Sequence, residues 1–226
     1  MNMKIIARIY NDFPTKFGIP RQSGRVKELT GKIVFEKEYR SDEALRGIEQ
    51  FSHLWLIWEF SENVKDEWSP TVRPPRLGGN KRIGVFASRS PFRPNPIGMS
   101  CVKLERVEKT ENEGTVLIIS SADLMNGTPI YDIKPYIPYS DSIADATGGY
   151  AQEHSDDKAK VDIAEELLQK LPSDKRKALI EVLRDDPRPA YQHDEERIYG
   201  FPFAGFEIKF KARGNTITVV DIIKII

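Results

Sequence analysis

Seven short runs of this chain have the length and make-up of β-strands, and they constrain the fold more than any other feature. They cover residues 4–10, 32–36, 53–60, 82–86, 99–107, 115–120 and 130–136, and each is rich in Ile, Val, Phe, Trp or Tyr. Turn formers such as Asn112-Glu113-Gly114 and Asn126-Gly127 punctuate them. One helical pattern intervenes at residues 42–49, with Ser41 as N-cap, acids in the first turn and Ala44, Leu45 and Ile48 at helical spacing. Seven short strands with one helix between them read as an antiparallel barrel or sandwich.

After about residue 145 the composition changes. Residues 157–171 carry Val161, Ile163, Ala164, Leu167, Leu168 and Leu171 in a helical pattern, and Ser173 opens a second helix holding Leu179, Ile180, Val182 and Leu183. A proline-rich loop at 186–191 precedes two final strands, 206–211 and 216–225, joined by the turn Arg213-Gly214-Asn215. The expected fold is mainly β: an antiparallel β-barrel domain over residues 1–145 and a smaller C-terminal α+β subdomain over 146–226.

Lys plus Arg and Asp plus Glu both number 34, so no global field draws the chain toward a polyanion. The local balance differs. Residues 71–106 hold eight bases and one acid, while residues 141–197 hold fifteen acids and nine bases. A clustered cationic stretch is what phosphate neutralisation needs. The single Cys101 and three histidines, at 53, 154 and 193, leave no cysteine–histidine cluster, so no metal site is expected. A reducing, cytoplasmic setting is expected, since the N-terminal apolar run is too short for a signal peptide and no 18-residue apolar stretch occurs.

No two glycines are separated by a single residue, so the Gly-x-Gly-x-x-Gly fingerprint of a Rossmann site is absent. Walker A, His-Glu-x-x-His and Gly-x-Ser-x-Gly patterns are absent as well. Three loops carry the candidate chemistry. Residues 88–98 place Arg89, Arg93 and Asn95 among Pro91, Pro94 and Pro96, whose fixed φ lowers the entropy cost of ordering. Residues 17–24 offer Arg21 and Gln22, planar groups suited to a carboxylate or a base edge. Residues 121–129 offer Asp123 and Asn126, the latter in an Asn-Gly turn. Along 130–136, Asp132, Lys134 and Tyr136 share one strand face, so Asp132 and Lys134 are either a structural ion pair or a site pair. Trp55 and Trp58 fit a core, and Trp68, beside the proline-rich segment, either packs or stacks a base.

These segments resemble the TsaA-like (YaeB/TrmO) family. The resemblance rests on Pro20-Arg-Gln22, Phe51-Ser-His-Leu-Trp55, Thr71-Val-Arg-Pro-Pro-Arg-Leu-Gly-Gly79, the run from Gly84 to Gly98, and Asp123-Leu with Gly127-Thr-Pro and Asp132-Ile-Lys-Pro-Tyr136. Asp186-Pro-Arg-Pro-Ala-Tyr191 is similar to the second segment of the bacterial members. The resemblance implies a non-Rossmann methyltransferase that uses S-adenosyl-L-methionine to methylate N6 of threonylcarbamoyladenosine at position 37 in a tRNA anticodon loop, and a cytoplasmic homodimer with no membrane association. It implies a cofactor pocket made from Pro20, Arg21, Gln22, Ser61, Glu62, Arg89, Met99, Asp123, Leu124, Met125 and Asn126. Ser61 stands where relatives often carry a histidine.

The residue types agree with that implication. A sulfonium cofactor needs acceptors near its methyl and a cation or amide for its carboxylate. A tRNA loop needs cations, and Arg73, Arg76, Lys81, Arg82 and Arg93 lie in the basic stretch. Asn95 and Asp132 are the candidate catalytic residues, Asn95 because Asn-Pro-Ile-Gly resembles the Asn/Asp-Pro-Pro-Tyr motif of unrelated adenine methyltransferases. The other open reading is a nucleotide- or tRNA-binding barrel without chemistry.

Overall fold

The computed structural model of the protein describes residues 3–63, 67–74, 81–154, 157–188 and 194–225. In chain order the strands of the first part are β1 (Ala7–Tyr10), β2 (Thr30–Phe35), β3 (His53–Glu59), β4 (Thr71–Val72), β5 (Ile83–Gly84), β6 (Ile97–Thr110), β7 (Gly114–Ser120) and β8 (Pro129–Pro135). Six of them pair in the order β1-β2-β7-β6-β3-β8, and β8 returns to β1 to close a barrel. Every pairing in it is antiparallel. The remaining two, β4 and β5, form a separate two-stranded ribbon.

Alternation explains why these runs close around a core. In β3, Leu54, Leu56 and Trp58 are buried and the residues between them are not, the period-2 pattern of a strand with one wet face. In β6, Gly98, Ser100, Val102 and Leu104 take the inner positions. Their registers match across the pair, Leu56 opposite Ser100 and Trp58 opposite Gly98. Only a glycine fits there, because a Cβ at position 98 would overlap the Trp58 indole.

The second part holds β9 (Lys160–Asp162), α2 (Glu165–Leu168), α3 (Ser173–Arg184), β10 (Tyr199–Phe203), β11 (Phe206–Arg213) and β12 (Thr216–Lys224); a short α1 (Pro138–Asp141) precedes it. Its sheet runs β10-β11-β12-β9. Phe201, Phe203 and Phe210 pack with Leu179, Leu183 and Ile217 into a second core, and Phe13, Val26 and Leu29 from the loop after β1 join that core rather than the barrel's. Lys175 pairs with Asp12 at 2.6 Å and Lys177 with Glu28 at 2.9 Å, and Arg25 pairs with Asp185. Residues 12–29 thus give the C-terminal part core partners, two acids for its lysines and one arginine for Asp185.

Several expected elements differ. The helix expected over 42–49 is two 3-10 turns, Glu43–Leu45 and Ile48–Gln50, divided by Gly47 at φ 85. Asp42 turns its carboxylate to Lys109 and Thr115, and Ser41 caps nothing. The helix expected over 157–171 begins instead as β9, parallel to β12 with Val161 opposite Ile217; Val161 and Ile163 fit a strand's period as well as a helix's, and the open edge of β12 decides between them. The run 82–86 gives only the two residues of β5 before a 3-10 turn at Val85–Ala87. β10 was not expected, because Gly200 and Pro202 interrupt its alternation; it lies at a sheet edge, where proline is tolerated. Trp55 is not core: its indole donates to Asp141 at 3.0 Å in an exposed bond. No helix among the described residues is long and apolar enough to cross a membrane.

Candidate active site

One end of the barrel opens into a cavity of about 1990 Å³, roughly twice the upper end of the ~300–1,000 Å³ that holds one small ligand. Its wall draws on the loop after β1, the end of β3, the β4–β5 ribbon, the proline-stiffened loop before β6, the segment after β7 and the turn around Tyr150. Widely separated segments converge because barrel closure brings all same-end loops together.

The floor is a buried chain of hydrogen bonds. Trp58 Nε1 donates to Ser100 Oγ at 3.0 Å, and Ser100 Oγ donates to Asp123 Oδ1 at 2.5 Å. Burial pushes the Asp123 carboxyl up from its ordinary value, while the Ser100 hydroxyl, the backbone of Asp123 and Ser23 and the Arg89 charge pull it back. Ser121, just upstream, holds φ 67, a left-handed conformation rare for a residue with a side chain. It is fixed there by two backbone bonds, its N–H donating to Leu29 at 2.9 Å and its carbonyl accepting from Gly24 at 3.0 Å. Those bonds lock the Asp123 segment to the loop that carries Arg21 and Gln22.

Arg89 Nη1 donates to Gln22 Oε1 at 2.5 Å, joining the proline-stiffened loop to the 20–22 loop. Arg21 Nη2 donates to the carbonyls of Asp186 at 3.1 Å and Arg188 at 3.0 Å, so part of its guanidinium fastens the cavity to the C-terminal part. Arg93 Nη1 donates to the Ser88 carbonyl at 3.1 Å, and Arg82 Nε to Thr71 Oγ1 at 2.8 Å. Glu59 ends β3 close to Tyr131, whose hydroxyl is pushed up to about 12 by burial and by that carboxylate.

Of the expected cofactor residues, Pro20, Arg21, Gln22, Ser61, Glu62, Arg89, Met99, Asp123 and Met125 line this one cavity, with Asn95 beside them. Leu124 and Asn126 do not. The segment alternates, so Asp123 and Met125 face the cavity while Leu124 is buried in the barrel core. Asn126 Oδ1 instead accepts from the Asn11 backbone N–H at 3.0 Å, bracing the turn. Asp132 is also outside: it sits on β8 opposite Ile57 and pairs with Lys134 at 2.9 Å, the structural ion pair rather than the site pair. Among the expected phosphate contacts, Arg73, Arg82 and Arg93 line the cavity, Lys81 is exposed without lining it, and Arg76 lies outside the described residues.

Sequence reasoning missed Glu59, Ser100 and Phe86. Strand alternation marks Glu59 as outward-facing, and nothing in it shows that the strand ends at the cavity mouth. Ser100 is a small polar residue at an inner position of β6, which is a readable signal for a buried hydrogen-bond relay.

A closed antiparallel barrel whose mouth gathers cations, a desolvated carboxylate and exposed rings defines a non-Rossmann barrel with room for both a small ligand and part of a polyanion. Residues 8–142 match the family model described as the tRNA-methyltransferase O N-terminal domain, and residues 156–225 match the TrmO C-terminal domain. The chain belongs to the TrmO family. It is 42% identical over 214 residues to the tRNA (adenine(37)-N6)-methyltransferase of Escherichia coli K12, covering 91% of each chain. A protein of the same name from Eikenella corrodens is 44% identical over 162 residues, covering 71% of this chain and 90% of that one. The crystal structure of TrmO from Pseudomonas aeruginosa superposes with a TM-score of 0.78 at 31% identity, covering 99% of this chain and 97% of the other.

Proposed function

We propose that the protein is an S-adenosylmethionine-dependent methyltransferase that methylates N6 of threonylcarbamoyladenosine at position 37 of tRNA. The observation that carries this reading is that Arg89, Gln22 and Asp123 meet the basic β4–β5 ribbon in one cavity large enough for two substrates. Family membership supports the same reading.

The donor set suits the cofactor. Arg89 and Gln22 are the cation and amide for its carboxylate, and the Glu62 and Asp123 carboxyls suit its ammonium and ribose hydroxyls. S-adenosylmethionine, when bound, supplies an electrophilic methyl group carried on a sulfonium. The protein's own task is to present N6 and take away its proton. Asn95 faces the cavity and supplies an amide oxygen of the type that holds an N6–H. Glu59 is the carboxylate in the same wall that receives the proton. Proline-fixed φ angles keep Asn95 and Arg89 from paying for order on binding.

In this reading residues 1–145 hold the chemistry, and residues 146–226 complete the cavity wall around Tyr150 and brace it through the carbonyls that hold Arg21. A cytoplasmic homodimer belongs to the same proposal, and a molar-mass measurement in solution tests the dimer. The central experiment is nucleoside mass spectrometry of tRNA from a strain lacking the protein. Loss of the methylated threonylcarbamoyladenosine, restored by the purified protein with S-adenosylmethionine, is the expected result. Unchanged nucleosides, or no heat of S-adenosylmethionine binding in calorimetry, would overturn the proposal.

A further inference from the structure

Two aromatic rings stand open at the cavity rim. Trp68 is 52% exposed and Phe86 74% exposed, although burying either would gain on the order of 2 kcal/mol or more. Antiparallel pairing of β4 with β5, Thr71 opposite Gly84 and Val72 opposite Ile83, sets the segment before β4 beside the segment after β5, so the two rings meet at one end of the ribbon. Their centroids lie 6.3 Å apart with planes tilted by 32°, so they form one small platform. Both rings line the cavity that holds Asp123, Arg89 and Asn95.

Charge says what the platform is for. Arg73 follows β4 and Arg82 precedes β5, both lining the same cavity, and Lys81 is exposed next to Arg82. An apolar protein partner would be met by these cations at a cost, whereas a nucleic acid strand presents phosphates to them and bases to the rings. Double-stranded RNA hides its bases from such a platform, so the partner is single-stranded or splayed.

We infer that Trp68 and Phe86 form a stacking platform for an unstacked base of the RNA, next to the nucleotide that enters the cavity. The inference rests on the function proposed above and adds the element that tells a looped strand from a duplex. Stacking on an exposed ring needs no hydrogen-bond readout, so the platform positions the strand without choosing its sequence.

The test uses the full-length protein and a synthetic anticodon stem–loop RNA carrying threonylcarbamoyladenosine, with an RNA duplex of equal length as control. Trp68→Ala and Phe86→Ala are expected to weaken stem–loop binding by about five-fold or more, with the slope of affinity against salt unchanged because no phosphate contact is lost. Trp68→Phe should restore most of the affinity, and S-adenosylmethionine affinity should stay within two-fold of the wild type. Wild-type tryptophan emission should be quenched on adding the stem–loop, and Trp68→Phe should remove the share of that quench owed to the exposed Trp68, leaving only what the buried Trp58 of the cavity floor gives, a readout that holds even if an alanine variant folds poorly. Wild-type affinity in both alanine variants, or a quench undiminished in Trp68→Phe, overturns the platform while leaving the proposed function standing. Loss of S-adenosylmethionine affinity instead of RNA affinity would assign the rings to the cofactor and overturn it as well. A wild-type protein that binds neither RNA would overturn the proposed function, and the platform with it.

Discussion

The cavity rim and the C-terminal sheet use aromatic residues in opposite ways. In the sheet, Phe201, Phe203 and Phe210 are fully buried, with Tyr199 and Phe210 stacked at 5.3 Å and Phe13 against Phe203 at 5.2 Å. At the rim, Trp68 and Phe86 face water. Aromatic rings are the largest contributors to burial, so a fold that leaves two of them exposed in a cavity lined by five arginines is giving up stability at that point. The difference separates the part of the molecule that holds the chain together from the part that meets other molecules.

The sharpest way to break this contrast is to truncate one ring from each region. Phe201→Ala removes a fully buried side chain from the second core and should cost about 3–5 kcal/mol, lowering the melting temperature by on the order of ten degrees. Phe86→Ala should leave melting unchanged within about a degree, because an exposed side chain has little burial to lose. Calorimetric melting of the two variants decides the matter, and equal losses would erase the contrast.

A smaller effect is expected at the cavity floor. Asp123→Asn keeps the shape but removes the charge next to Arg89, and should weaken S-adenosylmethionine binding about ten-fold or more, measured by calorimetry. It also carries a signature in pH. Burial raises the Asp123 carboxyl, so the folded chain keeps that proton at a pH where the unfolded chain has lost it. That contribution to stability is complete below the ordinary carboxylate value and is lost as pH rises through the raised one. The Asn variant has no such loss, so it should gain stability relative to the wild type as pH rises through that window. A variant that loses ground instead would mean that Arg89 and the hydrogen bonds outweigh burial.

How much of this could be read from the chain follows the same division. The barrel strands were legible because Leu54, Leu56 and Trp58 alternate with outward residues, and the mouth loops because Arg89, Asn95 and Asp123 sit in stiff, polar segments. What failed was decided by glycine and proline inside a pattern or by a distant sheet edge. The left-handed Gly47 divides an otherwise helical pattern, the edge of β12 draws Val161 into a strand, and β10 hides behind Gly200 and Pro202. At the site, alternation after β7 was available but unused: it assigns Asp123 and Met125 to one side and Leu124 to the other. The wetness of Trp68 was not legible at all, since it depends on what the ribbon packs against.

A weaker effect again is expected from the ribbon's cations. Arg73→Ala and Arg82→Ala should each flatten the log–log salt dependence of tRNA binding by about 0.7–0.9 if each holds one phosphate. Cofactor affinity should not change. Because the ion pairs Lys175–Asp12, Lys177–Glu28 and Arg25–Asp185 already join residues 12–28 to the C-terminal part, neither substitution should lower the melting temperature. A fall in melting temperature with an unchanged salt slope would make these arginines structural.

The smallest effect is expected at Asp132, and it tests where the chemistry stops. Its register opposite Ile57 sets it on the outer face of the barrel wall, and its partner Lys134, at 2.9 Å, is itself largely exposed. An exposed pair of this kind is worth about 0–1 kcal/mol, since water already solvates both charges and fixing two side chains costs entropy. Asp132→Ala should therefore shift melting by a few degrees at most and leave the rate of methyl transfer to tRNA at the wild-type value. The comparison with Asp123 is direct, because the two carboxylates lie nine positions apart and differ in burial and in what they face. A fall in turnover with cofactor affinity and melting intact would place the barrel's outer wall in the reaction, and the division between a working mouth and a supporting wall would have to be redrawn.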